Sequence, residues 1–176
     1  TSVSSGLSGW TLVHTSASAN GQMPDVYSKT AASTTESATV TMASSARLWL
    51  NLYAFRSATS VSVETENVDN STSSNTISAI KPTPGYYLWL ASAYWWLTGT
   101  AYQHAPWKWD VSGATYFNTH NYALVDGATG ADIFINPYAW RVTVFLDPDI
   151  ADSGTTITFT ETSSSINKMI LGVKIS

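Results

Sequence analysis

Apolar and polar residues alternate along most of this chain with the period of two that is typical of β-strands. One strand-like stretch, which begins at Gly85 and ends at Trp96, lacks this alternation. It has apolar residues on both faces, which predicts a central strand that is covered on both sides. No segment sustains the three- and four-residue spacing of an amphipathic helix over ~11 positions, so the pattern predicts an all-β protein. Further strands are predicted at Trp10–His14, Asp25–Thr30, Ala38–Met42, Leu48–Phe55, Val61–Thr65, Thr76–Ile80, Ala131–Ile135, Ala139–Leu146, Thr155–Thr162 and Met169–Ile175.

Turn residues separate these short strands, a spacing that favours a sandwich or a barrel. The connections are long, and Gly113–Asn121 has no regular pattern. We therefore expect a two-sheet antiparallel sandwich of jelly-roll type rather than an up-and-down barrel. Residues 1–9 are small and polar and are predicted to form a flexible N-terminal arm. Residues 10–176 are predicted to form a single β-sandwich domain, which agrees with the length of the chain.

Charged residues make up only 11% of the chain, so its polar surface must consist mostly of Ser, Thr and Asn. This composition is typical of extracellular, secreted and virion proteins. The net charge of −4 and the lack of a basic run argue against nucleic-acid binding.

The chain has no Cys, which excludes disulfides and thiolate metal sites. No apolar run reaches ~18 residues, so no membrane span is predicted.

Catalytic signals are lacking in the sequence. His14, His104 and His120 are far apart, and none has a partner at the spacing of metal ligands. No Ser lies in a G-x-S-x-G context, and no Gly-rich phosphate loop is present. Nothing pairs two of the acidic residues as glycoside hydrolysis requires. We therefore expect a non-enzymatic protein that needs no cofactor.

Three carboxylates lie close together in the segment 147–152, at Asp147, Asp149 and Asp152. Carboxylate oxygens are ligands that calcium prefers, which makes these residues calcium candidates. The segment is also typical of a turn, because Asp favours Asx geometry and Pro148 presets φ. We favour the turn, since the spacing matches no known calcium loop, and we predict no required ion.

The strand that begins at Gly85 leads into a loop, Thr98–Asp110, that stays aromatic to Trp109. Exposed Trp and Tyr stack on sugar rings, and they also anchor protein interfaces. We expect Trp89 and Trp95 in the core, whereas core and interface stay equally open for Trp96, Trp107 and Trp109. Lys108 lies between two tryptophans, where it can sit over a ring. The candidate interface or ligand-stacking residues are Trp96, Tyr102, Trp107, Lys108 and Trp109.

The segment Asn70-Ser71-Thr72 fits the N-glycosylation sequon. Its use depends on the host in which the protein is made. A modified Asn70 would require an exposed loop at this point of the chain.

Four segments in the first half of the chain carry motifs of a known module: Gly9–Val13, Asp25–Ala31, Ala38–Thr41 and Leu52–Arg56. Together they resemble a module of tailed-phage and prophage virion proteins. In that family a GW-x-L-V strand is followed by a V-x-x-K-x-A strand, a Thr-rich strand and a strand that ends near AYRG. The resemblance covers roughly residues 9–92, and Ser57 stands where the family has the final Gly. It brings no catalytic residues.

The resemblance implies a β-sandwich virion structural protein, either a capsid decoration (cement) protein or part of a tail fibre. We expect it to stabilise a phage shell through contacts with the major capsid protein or another virion protein. We also expect a homotrimer, because closed symmetry is the default and capsid lattices offer three-fold positions. The alternative is a secreted or extracellular carbohydrate-binding module, or a lectin-like receptor-binding domain, that binds glycans through exposed Trp and Tyr.

Overall fold

The computed structural model describes residues 7–16, 25–40, 52–70, 74, 76–96, 110–112, 117–125, 138–147, 151–160 and 167–176. This part of the chain contains β-strands and no helix, which confirms the predicted all-β class. It accordingly contains no helix long and apolar enough to cross a membrane. The strands are β1 (Thr11–Thr15), β2 (Asp25–Ser28), β3 (Val61–Asp69), β4 (Thr76–Ile80), β5 (Tyr86–Trp96), β6 (Asp110–Ser112), β7 (Phe117–Val125), β8 (Tyr138–Asp147), β9 (Thr156–Thr160) and β10 (Asn167–Ile175).

The chain separates into two compact units, residues 1–62 with 175–176, and residues 63–174. In the first unit β1 and β2 pair antiparallel, with an irregularity between Leu12 and His14. Leu7 belongs to the predicted arm, yet it is buried and forms an antiparallel bridge with Val40. Residues 1–6 of the arm lie outside the described residues. This division into two compact units does not test the predicted single domain over residues 10–176, which stays a prediction.

Two sheets build the second unit. One has the strand order β3-β10-β5-β8-β7, and the other has the order β4-β9-β6. The pairings β5–β8, β7–β8, β4–β9 and β6–β9 are antiparallel. Alternate residues of both sheets point into one shared core, which confirms the two-sheet sandwich. The core cluster consists of Ile77, Ala79, Tyr87, Trp89, Ala91, Ile157, Phe159 and Ile170.

Strand β5 occupies the middle of the five-stranded sheet, as its apolar pattern predicts. Tyr87, Trp89 and Ala91 are completely buried, so the prediction of a core position for Trp89 is confirmed. On the opposite face Leu88 and Leu90 are half-buried. The pleat sends successive side chains to opposite sides. Over residues 86–91, one face of β5 is therefore closed over the core, and the other is only partly covered.

Two strands form where the sequence predicts none. Strand β7 covers much of the segment 113–121 that was predicted to be irregular, and it pairs with β8 at the edge of its sheet. An edge strand needs a ladder on one side only, so a polar sequence can form one without the apolar alternation of a central strand. Strand β6 is the second, and it pairs with β9. Strand β3 also continues to Asp69, beyond the predicted Val61–Thr65.

Two predicted strands of the first unit do not form ladders in the described residues. Of the predicted strand Ala38–Met42 the structure describes residues 38–40, and among these only Val40 pairs. Ala38 and Val40 are nevertheless half-buried and Thr39 is exposed, as the alternation predicts. Residues 52–55 of the predicted Leu48–Phe55 form no strand, and Leu52 is 59% exposed. Alternation decides which side chains face inward, whereas a ladder also needs a partner strand. The predicted strand Ala131–Ile135 lies outside the described residues.

Candidate functional site

The aromatic loop lies almost entirely outside the part of the chain that the structure describes. Tyr102, Trp107, Lys108 and Trp109 all fall in the segment 97–109. Trp96 is the last residue of β5, where its backbone lies opposite Tyr138 of β8. The interface and ligand-stacking roles of these residues stay predictions.

The acidic turn, in contrast, is partly described, and it contains a buried lysine that the sequence analysis did not single out. Asp147 is the last residue of β8, and Asp152 lies in the connection to β9. Both carboxylates contact Lys81, at 3.1 Å from Nζ to Oδ2 of Asp147 and at 2.5 Å from Nζ to Oδ1 of Asp152. We call these three residues the Lys81 cluster.

Two of the three calcium candidates, Asp147 and Asp152, belong to the Lys81 cluster. Asp149 lies outside the described residues, and the other two candidates share the ammonium of Lys81. Among the residues that the structure describes, no group of three or more His, Asp or Glu side chains is arranged to hold a metal ion. A cation that belongs to the chain thus lies against two of the three carboxylates. That no ion is required stays a prediction.

The register of β4 explains why Lys81 points into the protein. Ile77 and Ala79 are the buried residues of β4, and position 81 continues their period of two. The backbone of Lys81 extends the pairing of β4 with β9. Its N–H donates to the Thr155 carbonyl at 2.9 Å, and its carbonyl accepts from the Gly154 N–H at 2.8 Å. The side chain of Lys81 is therefore directed to the core side and is 0% exposed.

Opposite charges and an aromatic ring surround the buried ammonium. An unpaired charge in this position would be very unfavourable, and the two carboxylates compensate it. Nζ of Lys81 also lies 5.2 Å from the centre of the Tyr87 ring, at the distance of a cation–π contact. Burial acting alone would raise the pKa of Asp152. Hydrogen bonds from Lys81 and Thr155, together with the charge of Lys81, outweigh burial and hold the pKa below its ordinary value of 3.8.

A second polar group, the Glu64 cluster, lies on the neighbouring strands and consists of Glu64 (β3), Thr83, Tyr87 (β5) and Lys174 (β10). The Thr83 hydroxyl donates to Oε2 of Glu64 at 2.6 Å, and the Tyr87 hydroxyl donates to the same oxygen. Nζ of Lys174 donates to Oγ1 of Thr83 at 2.7 Å and lies 3.5 Å from Oε1 of Glu64. Three strands of one sheet are thus joined through a single carboxylate.

The Glu64 cluster shifts the pKa of two groups in opposite directions. Burial raises the pKa of Tyr87, and the hydrogen bond to the Glu64 carboxylate raises it further. For Glu64, burial alone would raise the pKa, but the hydrogen bonds from Thr83 and Tyr87 and the charge of Lys174 bring it below 4.5. Since the ring of Tyr87 faces Lys81 and its hydroxyl contacts Glu64, Tyr87 connects the two clusters.

Sequence reasoning found two of the three members of the Lys81 cluster, Asp147 and Asp152, but did not single out Lys81. A signal was available, because Lys81 lies two residues after Ala79 and so falls on the buried face of β4. Glu64 and Lys174 were not singled out either. No local pattern pairs Glu64 with Lys174, because they contact through the order of the strands.

The fold and these clusters define a β-sandwich protein with a buried charged centre. No protein-family model matches the chain, and comparison with curated proteins and with solved structures yields no match either. The functional proposals therefore depend on the residues and on the fold.

Proposed function

We propose that this protein is a non-enzymatic structural protein of a phage particle, and in particular a capsid decoration or cement protein. The order of the strands carries this proposal. The chain passes from one sheet to the other at each connection from β3 to β7 and again from β8 to β10. The first and last strands of this set, β3 and β10, are neighbours in the larger sheet. This order supports a jelly roll, an architecture of viral capsid and lectin domains.

Two backbone conformations in the first unit support the phage resemblance. Gly9 opens the GW-x-L-V segment and has φ 76. Ser57 stands at the final Gly of the family pattern and has φ 64. Both angles lie in the left-handed region that Gly adopts without steric cost. A glycine-type conformation at both motif positions is what a shared local fold requires.

The proposed mode of action is contact with a larger shell. A domain with few charged residues has little electrostatic resistance to association. Aromatic side chains supply the anchors of interfaces, and Trp107 and Trp109 are the proposed anchors. We propose a homotrimer, since a three-fold position of a shell accepts a trimer without breaking symmetry.

Co-assembly with a shell protein tests this proposal. The chain is co-expressed with the major capsid protein of the same phage genome, and particles are separated on a density gradient. The chain should sediment with the particles, and light scattering of the free protein should give the mass of a trimer. Replacing Trp107 and Trp109 by Ala should abolish co-sedimentation while circular dichroism stays unchanged. A chain that remains at the top of a gradient containing assembled shells would contradict the proposal.

A matched control uses exposed apolar residues away from the loop. Ile80 and Tyr86 are 56% and 48% exposed. Replacing both by Ala removes a similar kind of surface, so this variant should still sediment with the particles. Loss of binding in both double variants would point to a general effect of apolar surface rather than to anchors in the loop.

The second candidate function is carbohydrate binding, because lectin domains also use jelly rolls. A glycan array with the purified protein tests it directly. A monomeric mass, together with a glycan signal that disappears in the Trp107 and Trp109 double variant, would favour this alternative over the shell protein.

A further inference from the structure

The Lys81 cluster holds a primary amine against two carboxyl groups in a place shielded from water. Lys81 is 0% exposed, Asp147 is 1% exposed and Asp152 is 26% exposed. The three residues come from different segments: the end of β4, the end of β8 and the connection from β8 to β9. Amine and carboxyl group are the two reactants of an amide bond, and the fold brings them into contact without any further group.

We propose that Lys81 and Asp152 condense to an intramolecular isopeptide bond, with Asp147 as the proton relay. Nζ of Lys81 attacks Cγ of Asp152, an N–C bond forms, and one C–O bond of the carboxyl group breaks. The oxygen leaves as water with two of the three ammonium protons, and the third stays on the amide nitrogen. Ammonium plus carboxylate thus become amide plus water, and neither oxidant nor reductant is needed.

Asp152 is assigned as the acceptor for three reasons. Its Oδ1 is nearer to Nζ than the contacting oxygen of Asp147, at 2.5 Å against 3.1 Å. It lies in a connection outside the strands, so its Cγ can shift into bonding distance. Its partial exposure also gives the released water a way out. Asp147, in contrast, is held in β8 opposite Tyr87 of β5.

Asp147 has the position that a proton relay requires. Its Oδ2 accepts a hydrogen bond from Nζ of Lys81, so it can take a proton from the ammonium and leave a nucleophilic amine. The same carboxyl group can then return the proton to the departing oxygen. A relay is needed because Nζ of Lys81 and Oδ1 of Asp152 are in contact as an ion pair, so protons must move from nitrogen to oxygen before the N–C bond can form.

The environment favours the condensation. Burial makes a charged pair costly, and the amide product removes the charges of Lys81 and Asp152. The face of Tyr87, 5.2 Å from Nζ, forms part of the wall around the amine. The bond would join residues 71 positions apart in a chain that has no Cys. It would thus give the second unit a covalent closure of the kind that disulfides supply elsewhere. This inference is independent of the proposed function.

Intact mass spectrometry of the purified full-length chain tests the proposal. The measured mass should be lower than the sequence mass by one water molecule. Tandem spectra should then show a peptide containing Lys81 joined to one containing Asp152. A mass equal to that of the sequence overturns the proposal, and a link from Lys81 to Asp147 overturns the assignment of the acceptor.

Three variants separate the cross-link from other losses of water. An aspartate succinimide also loses one water, but it would persist in K81M, whereas the cross-link would not. In D152N the attack would release ammonia, so the final mass should equal that of the cross-linked wild type. In D147N the relay is removed, and the mass should equal that of the sequence while circular dichroism keeps its β signal. Unchanged cross-linking in D147N would overturn the relay, and continued loss of water in D152N would overturn Asp152 as the acceptor.

The second buried lysine of the unit provides a matched control. Lys168 is 0% exposed and contacts Asp69 at 3.3 Å. K168M also removes a buried lysine from an ion pair, but it should keep the full loss of water. Loss of the cross-link in K168M as well as in K81M would contradict the proposal, because the mass change would then follow the removal of either buried lysine and not specifically that of Lys81.

Discussion

The ring of Trp89 lies so close to Gly172 that a Cβ atom at position 172 would be 2.8 Å from Cζ3 of the indole. The same Cβ atom would be 2.6 Å from Cγ2 of Thr65. Gly172 on β10 thus leaves the space into which residues of its two neighbouring strands extend. Since Trp89 is the largest completely buried side chain among the described residues, this space is essential for packing of the core.

We predict that Gly172→Ala lowers the free energy of unfolding by about 1–3 kcal/mol, the usual cost of overpacking a core. Urea denaturation followed by Trp fluorescence measures the effect. Adding Thr65→Ser to this variant should recover part of the loss, because it removes the methyl group that the new Cβ contacts. An unchanged midpoint in Gly172→Ala would contradict the close packing of Trp89.

Tyr87→Phe should lower the free energy of unfolding by about 1–3 kcal/mol, because it removes a buried hydrogen bond to the charged Glu64. Tyr86 offers a matched control, since it is the preceding residue and is 48% exposed. Tyr86→Phe should change the stability by less than about 0.5 kcal/mol. Equal effects of the two substitutions in chemical denaturation would show that the buried hydroxyl of Tyr87 contributes nothing.

Acid should destabilise the protein partly through Glu64. The pKa of Glu64 in the folded protein lies below its ordinary value of 4.5, so the unfolded chain binds more protons in that range. The contribution is complete above pH 4.5 and is lost as the pH falls through the lower, folded pKa. Melting temperatures measured from neutral to acidic pH should therefore fall less steeply for Glu64→Gln than for the wild type. Parallel curves would exclude this role of Glu64.

Ser57→Gly should raise the stability of the first unit by about 1 kcal/mol. The φ of 64 at this position is sterically unfavourable for Ser and is not for Gly. Ser153 is an exposed serine without a positive φ, and it serves as the control. Ser153→Gly should give no gain, because there Gly only adds freedom to the unfolded chain. Differential scanning calorimetry measures both variants. A lower melting temperature for Ser57→Gly would show that the turn does not strain Ser57.

The fold class and the inward faces of the strands follow from the sequence alone. Thr76–Ile80 was predicted with the bounds that the structure has, and Ile157, Phe159 and Trp89 face the core as the alternation predicts. The reason is local, since the pleat of one strand sends successive side chains to opposite sides. Alternation did not produce a strand at residues 52–55, where no ladder forms. Conversely, the sequence of β7 lacks a clear apolar alternation, so this strand was not predicted.

Which groups the buried charges contact depends on the tertiary fold. Asp147 and Asp152 stand out in the sequence as a pair of carboxylates, but their partner Lys81 lies 66 and 71 positions away. Glu64 and Lys174 likewise contact because β3 and β10 are neighbours in a sheet, although they lie near opposite ends of the second unit's sequence. Periodicity specifies that a side chain points inward. Which opposite charge that side chain contacts depends on the order and register of strands that are distant in the chain. The order and register of the strands set the distances between the charged groups.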